Sequence, residues 1–517
     1  MPKLLFINPS YKASYVSPTA SILDPVFPTV GLLSLAAVAE KAGYEVAILD
    51  LSYQIYNWRV VADRLRDFKP DIVGLTGTTP LMNQIRDMSV LIKEQFPHIL
   101  VVAGGAHVSA LPKESLAESL LDVVVMGEGE ATLGEICQGV PLEKIAGICY
   151  RDASGLTRQN PCRDFIPDLD QLPFPAWHLF DAQEYKNKIS RILTRRVPSC
   201  MVEFSRGCLY TCDFCASKIT MGHGYRKKSP QRCAAEVRRL YEYGWREFAL
   251  TDDIFTSDKE WAKAVCQEII KAKLDIIWTC TNGIRVESAD TDLFRLMRQA
   301  GCYRVSFGLE SGDESVLKAF GKGGAATLAQ GKSAVQKAKK AGLDVSGFFL
   351  LGLSPDTEDS MRKTIEYASR LPLDMLKFGI AIGFPGTRMF YEYQAKGLIK
   401  SFDWEDYNVY TTRGLFAHPN LKFETVQEYV AQAYQKVIFG NPGFILRRIF
   451  HSLLSGDLYW DGYYGLKLAL AHLFPRPQQA AQYYAPDRWP KYDFFQAKMT
   501  AAEFRKVKTA VPALNQG

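Results

Sequence analysis

Long apolar runs are missing from these 517 residues. The longest late one, "LKLALAHLF", is too short to cross a bilayer as a helix, which takes about 20 apolar residues. No membrane span is therefore expected. The opening "MPKLLFINPS" lacks the apolar core of a signal peptide. Blocks of one charge sign are also absent: 62 basic and 56 acidic residues are interspersed, leaving +6. That argues against a nucleic-acid partner, since dedicated binders gather Lys and Arg on one face. No fixed-period repeat or low-complexity tract stands out, and histidines number only seven. Eleven irregularly spaced cysteines without a secretory leader do not form a disulfide framework; a reduced, cytoplasmic setting is expected.

What is present alternates. A chain of this length suits two to four domains, and five short apolar strands fall in the first 145 residues: "KLLFINP", "VAILDL", "DIVGLTG", "ILVVAGG" and "DVVVMGEGE". Between them Trp58, Val61, Leu65 and Phe68 recur at helical spacing, as do Leu81, Ile85, Met88, Ile92 and Phe96. Such alternation predicts an α/β fold, a Rossmann-like, doubly wound parallel sheet over residues 1–145. Ligands of such sheets bind beyond the strands' carboxyl ends. Those ends carry Thr76, Thr78 and Thr79, then Gly104, Gly105 and His107, then Gly127 and Glu128 within "GEGE". Glycines admit close backbone approach and threonines offer hydroxyls.

Residues 146–195 read as a hairpin with the turn "DASG" and a proline-rich linker. A second alternation follows over residues 196–410, with strands expected at 201–205, 246–250, 276–280, 303–308, 345–350 and 374–380. Six strand–helix units predict a partial (β/α)6 barrel with its site at the strands' carboxyl ends. Residues 411–517 read as helical and aromatic. There "FHSLLSGDLYWDGYYG" suits either the wall of an apolar pocket or a packed helical cap.

The chemistry concentrates in "SRGCLYTCDFCASK", which places Cys208, Cys212 and Cys215 on the loop leaving the first barrel strand. Zinc would want a fourth ligand, and the nearby His223 is poorly spaced for it. Three thiolates can instead hold three irons of a 4Fe–4S cluster and leave the fourth open. The i, i+4, i+7 spacing, with Phe214 before the last cysteine, resembles the radical S-adenosylmethionine superfamily. The resemblance implies that the open iron chelates the amino and carboxylate groups of S-adenosylmethionine, whose reductive cleavage gives a 5′-deoxyadenosyl radical. The ammonium-binding place on the second strand is filled here by Asp252 and Asp253 of "LTDD". Glu310 and Ser311 of "GLESG" fall where the family contacts ribose or the methionine carboxylate, and Arg285 could neutralise that carboxylate.

A Rossmann-like domain ahead of such a barrel, with "FPTVGLLSLAAVAEKAGY", "GGAH" and "GEGE", resembles the cobalamin-binding, methyltransferase-type members of this superfamily over roughly residues 1–400. The Asp-x-His-x-x-Gly loop of other cobalamin proteins is absent, so no histidine is expected to ligate cobalt from below. A methylthiotransferase would need three more cysteines early in the chain, whereas the first is Cys137. The resemblance implies three cofactors: the 4Fe–4S cluster, S-adenosylmethionine and cobalamin. It further implies a small-molecule substrate and an external one-electron reductant such as flavodoxin or ferredoxin. The expected reaction is methylation of an unactivated carbon in a small natural product, pigment precursor or lipid. The alternatives are a cobalamin-assisted cyclisation, rearrangement or oxygen insertion, and a cobalamin- or redox-sensing protein without turnover. In "ASKITMGHGYRKKS", His223 or Tyr225 could accept a proton or orient substrate.

Overall fold

Alternating apolar strands and amphipathic helices assemble into two parallel sheets. The structure, a computed structural model, describes residues 1–12, 27–189, 191, 193–320, 327–473 and 480–495. The first sheet is ordered β2-β1-β3-β4-β5-β6-β7. Its strands β1 (Lys3–Asn8), β2 (Glu45–Asp50), β3 (Ile72–Thr76), β4 (Leu100–Gly104) and β5 (Val123–Val125) run parallel. The helix Trp58–Phe68 starts where the Asn57 side chain accepts from the Arg59 N–H, and it buries Val61, Leu65 and Phe68 against the sheet. The "DASG" hairpin differs from expectation. Its strands β6 (Ile148–Arg151) and β7 (Thr157–Gln159) join the same sheet antiparallel to β5. The first sheet therefore runs past residue 145 to residue 159.

In the second sheet all six strands are parallel, ordered β15-β14-β13-β12-β11-β8. They are β8 (Ser199–Val202), β11 (Glu247–Leu250), β12 (Ile277–Ile284), β13 (Cys302–Glu310), β14 (Asp344–Leu351) and β15 (Met375–Ile380). The first of them ends at Val202 instead of running to residue 205. Asp252 takes the next donors, the Phe204 N–H at 2.7 Å and the Ser205 hydroxyl at 2.5 Å, and so breaks the ladder to β11. The chain then makes a two-residue antiparallel pair between β9 (Ser205–Arg206) and β10 (Arg226–Lys227). Phe248 stacks on Trp278 in the core, with Phe255 edge-on to the same indole.

Beyond the barrel, helix Phe423–Tyr434 covers the edge strand β15, its Tyr434 hydroxyl accepting from the Phe378 N–H. Helices Pro442–Ser455 and Leu458–Leu473 follow. The "FHSLLSGDLYWDGYYG" segment lies on them at the end of the barrel where the strands begin. His451 bonds Asp344, the first residue of β14, at 2.7 Å, and Arg195 reaches both Asp344 and Asp457. It is a packed cap on the end opposite the cysteine loop, so the pocket-wall reading of this stretch fails. The expected all-helical C-terminal region also gives way to an extended strap over residues 480–495. Gln482 pairs with Asn57, and Asp87 accepts from the N–H groups of Tyr484 and Ala485, the Tyr56 hydroxyl and the Trp489 indole. Residues 496–517 of that region lie outside the described residues.

Candidate active site

The segments that follow β5 and β8 meet, and the junction between them is charged. After β5, Glu128 and Glu130 both accept from Arg206, the residue two before Cys208, at 2.8 and 2.7 Å. Arg206 also binds Glu203 at 2.5 Å, Arg226 binds Glu128 at 2.8 Å, and Ser34 donates to Glu130 at 2.9 Å. The Arg206 side chain is 7% exposed. Burial works against a charged Glu130, but Arg206, a backbone N–H and Ser34 together hold the carboxyl below its ordinary range. A guanidinium fork suits two carboxylates at once, where a lysine would offer one point charge. Arg206 and Arg226 escaped the sequence reading. The available signal was two glutamates at i, i+2 in "GEGE" and an arginine preceding the first cysteine.

A second junction joins the helix Ala106–Ala110, after β4, to the helix Ser217–Met221, just after Cys215. Both border Gly386, where an added Cβ would touch Ala110 at 3.0 Å and overlap Ile219. The loop after β4 is thereby set beside the cysteine loop.

Cys208, Cys212 and Cys215 are each half-buried, on one loop. Gly207, with φ of +85°, turns the chain into the loop, and any Cβ there would run into the Gly224 carbonyl oxygen. Asp213 anchors the loop's middle: its N–H donates to the Phe320 carbonyl and its carbonyl accepts from the Met389 N–H. Phe214 packs on Phe320 with ring centroids 5.6 Å apart. Burial pushes the Cys208 thiol up to about 11, with Asp253 and Cys215 adding to the shift. A lone thiolate is disfavoured here; iron, which binds the deprotonated sulfur, would reverse that. Three half-exposed thiols on a braced loop fit a cluster with one open iron.

Of the acidic pair, Asp252 is spent on Phe204 and Ser205, and burial pushes it up to about 7. Asp253 faces the cysteine loop, accepting from the Gly207 N–H at 3.1 Å, and burial pushes it up to about 6. Of the two, Asp253 is the one that meets the cysteine loop. Arg285 lies over the Tyr210 ring at 3.5 Å and binds Glu287 at 2.6 Å. Glu310 ends β13 in left-handed backbone, φ +59°. Ser311 departs from expectation: it is fully buried, its hydroxyl meeting Thr364 and accepting from the Asp313 N–H. Tyr225 also departs, donating to the Phe255 carbonyl at 3.1 Å, while burial and Asp252 raise its pKa. A phenol so placed braces the loop and is a poor proton acceptor. His223 stands exposed on that loop.

At the first sheet's carboxyl edge, Thr78 is exposed and its hydroxyl meets that of Tyr11 at 2.6 Å, whereas Thr79 is buried. Thr76 ends β3 half-buried. Gly104 is bare: an added Cβ would meet nothing within 4 Å. Gly105, at φ +107°, closes onto Gly77. Gly127 is half-buried and bonds the Ser109 hydroxyl at 3.0 Å. Bare backbone and hydroxyls at this edge fit a broad planar ligand such as a corrin. Two side chains do not reach it. The His107 ring is buried edge-on to Trp404, 4.7 Å between centroids, and 3.6 Å from Glu118. Glu128 is occupied by Arg206, Arg226 and the Ile166 N–H.

Residues 22–137 match the B12 binding domain family and residues 202–368 the radical SAM superfamily. An uncharacterised methyltransferase of Pyrococcus horikoshii is 32% identical over 457 residues, covering 84% of this chain and 96% of that protein. An anaerobic magnesium-protoporphyrin IX monomethyl ester cyclase of Rubrivivax gelatinosus is 28% identical, covering 79% of this chain and 73% of its own. Among solved structures, OxsB, a cobalamin-dependent S-adenosylmethionine radical enzyme with aqua-cobalamin and S-adenosylmethionine bound, superposes with a TM-score of 0.68. The alignment has 16% identity and covers 92% of this chain and 74% of that one, a likeness of fold. With both domain families in this order and the archaeal relative matched almost end to end, the chain belongs to the cobalamin-dependent radical S-adenosylmethionine enzymes.

Proposed function

We propose that this protein transfers a methyl group from S-adenosylmethionine to an unactivated carbon of a small natural product, pigment precursor or lipid, drawing electrons from a reductant such as flavodoxin or ferredoxin. The observation that carries the reading is the junction itself. The loop after β4 packs on the helix that leaves Cys215, so the corrin edge and the cysteine loop share one space. Bound there, the three cofactors would supply a 5′-deoxyadenosyl radical and a methyl group stored on cobalt.

The chain's own residues have separate tasks. Cys208, Cys212 and Cys215 would hold the cluster. Asp253, raised by burial and short of a cation, would take the ammonium of S-adenosylmethionine, with Arg285 on the side of its carboxylate. Glu310 and Phe214 border the same space. Backbone at Gly104, Gly105 and Gly127, with Thr76 and Thr78, would carry the corrin. The His107 ring, buried edge-on to Trp404, would flank this site without reaching into it. Similarity to the Pyrococcus horikoshii methyltransferase supports methyl transfer, and similarity to the Rubrivivax gelatinosus cyclase supports cobalamin-assisted cyclisation as a second reading.

Product counting separates these. With reductant and cobalamin, formation of both S-adenosylhomocysteine and 5′-deoxyadenosine is expected. Deoxyadenosine alone would favour cyclisation or rearrangement, and neither product would leave a sensing protein.

A further inference from the structure

The C-terminal hairpin presents an apolar face that the fold does not need. On helix Pro442–Ser455, Leu446, Ile449, Phe450 and Leu453 stand at i, i+3, i+4 and i+7 and are all exposed; Leu446 is 67% and Phe450 64% open. On helix Leu458–Leu473, Tyr459, Tyr463, Leu466 and Leu470 stand at i, i+4, i+7 and i+11, with Tyr459 71% and Leu466 61% open. The opposite faces do the packing. Arg448 and Ser452 meet Asp461, His451 meets Asp344, and Tyr464 is buried, its hydroxyl accepting from the Arg191 N–H. Stability therefore comes from one side of the hairpin and leaves the other apolar. Rows of large apolar side chains left open on two successive helices mark a surface with a use.

Charge identifies the occupant. Between residues 442 and 473 the only carboxylates are Asp457 and Asp461, and both are paired inward, on Arg195 and Arg448. Arg447 and Lys467 stand exposed beside the apolar rows, and Lys436 is exposed just before the hairpin. Exposed Leu, Ile and Phe, tyrosines and a cationic rim suit the boundary of an anionic bilayer, where apolar side chains enter the acyl region and Lys and Arg meet lipid phosphates. No described helix is long and apolar enough to cross a membrane, so the contact would lie in the plane of the surface.

We propose that this hairpin docks the protein on an anionic phospholipid surface. The hairpin caps the strands' starting ends, and β13 and β14 put roughly 25–30 Å of strand between it and the cysteine loop. Docking thus leaves the candidate active site directed away from the lipid and open to its reductant.

Flotation of the full chain with vesicles of equal phosphatidylglycerol and phosphatidylcholine tests this, with pure phosphatidylcholine as control. The wild type should float with the anionic vesicles and bind the neutral ones at least tenfold more weakly. Phe450→Glu with Leu466→Glu should abolish flotation while leaving the melting temperature within a few degrees, since both positions are exposed. Arg447→Gln or Lys467→Gln should each lower affinity roughly fivefold and weaken its salt dependence. Absent flotation, or equal flotation of the double glutamate variant, overturns the proposal. So does a lipid-free dimer in sedimentation velocity that the same variant converts to monomer, which would give the face to a second copy of the chain.

Discussion

Two aspartates at opposite ends of the barrel, Asp344 and Asp253, are treated oppositely. Where the strands begin, Asp344 gathers His451 at 2.7 Å, Arg195 at 3.0 Å and Arg304 at 3.8 Å. Burial alone would raise it, but those three partners hold it down at about 2. Where the strands end, half-buried Asp253 has a backbone N–H and a serine hydroxyl as its main partners, and desolvation raises it to about 6. The first end is closed electrostatically by the protein's own groups. The second is left short of positive charge beside three half-buried thiols, an arrangement that a cationic ligand and a metal cluster would complete. Perturbed groups without internal partners mark the functional end.

Four experiments break or sharpen that contrast, from the largest effect down. Cys208→Ala, Cys212→Ala and Cys215→Ala combined should abolish cluster absorbance and reductive cleavage of S-adenosylmethionine altogether; a full cluster in that variant would refute the assignment. Arg206→Ala should destabilise the chain by about 3–5 kcal/mol in urea titration, because it strands Glu128, Glu130 and Glu203 in a buried junction. Adding Glu128→Gln and Glu130→Gln should recover part of the loss.

Third is a pH effect at the closed end. Burial pushes Glu247 from 4.5 up to about 7 despite hydrogen bonds from the Arg196 N–H, Tyr303 and the Arg195 N–H. The folded chain there keeps a proton that the unfolded chain has released. This group's contribution to stability therefore falls as pH rises from about 4.5 to about 7 and is flat above. Glu247→Gln should remove that slope, about 3 kcal/mol in all, in urea titrations at the two limits. The smallest effect separates the acidic pair. Asp253→Asn should weaken S-adenosylmethionine binding about 10- to 100-fold, as losing a charged hydrogen bond does. Asp252→Asn should keep that affinity, and equal losses in both would contradict the division of labour.

Much of the fold was legible because its signals are local. The six barrel strands were placed within a few residues from apolar runs alone, and the helix beginning at Trp58 from its periodicity. The cysteine loop was legible because three thiols at fixed spacing carry their chemistry in the sequence. What escaped depends on distant partners. Nothing local says that Glu128 meets Arg206 and Arg226, that His107 turns under Trp404 from nearly 300 positions away, or that Asp87 receives the strap at Tyr484. Asp252 and Asp253 are neighbours in sequence, yet one meets Phe204 and Ser205 and the other Gly207. The early end of the first barrel strand followed from the same carboxylate, which a strand pattern does not register.

The central claim is that the two sheets serve one acceptor carbon in turn. Once a substrate is identified, turnover with S-adenosylmethionine carrying a trideuterated methyl group tests it most directly. The expected product is heavier by one labelled methyl, with S-adenosylhomocysteine and 5′-deoxyadenosine formed in equal amounts, two molecules of S-adenosylmethionine per turnover. A product without label, formed alongside 5′-deoxyadenosine, would contradict methyl transfer and give the site to cyclisation or rearrangement.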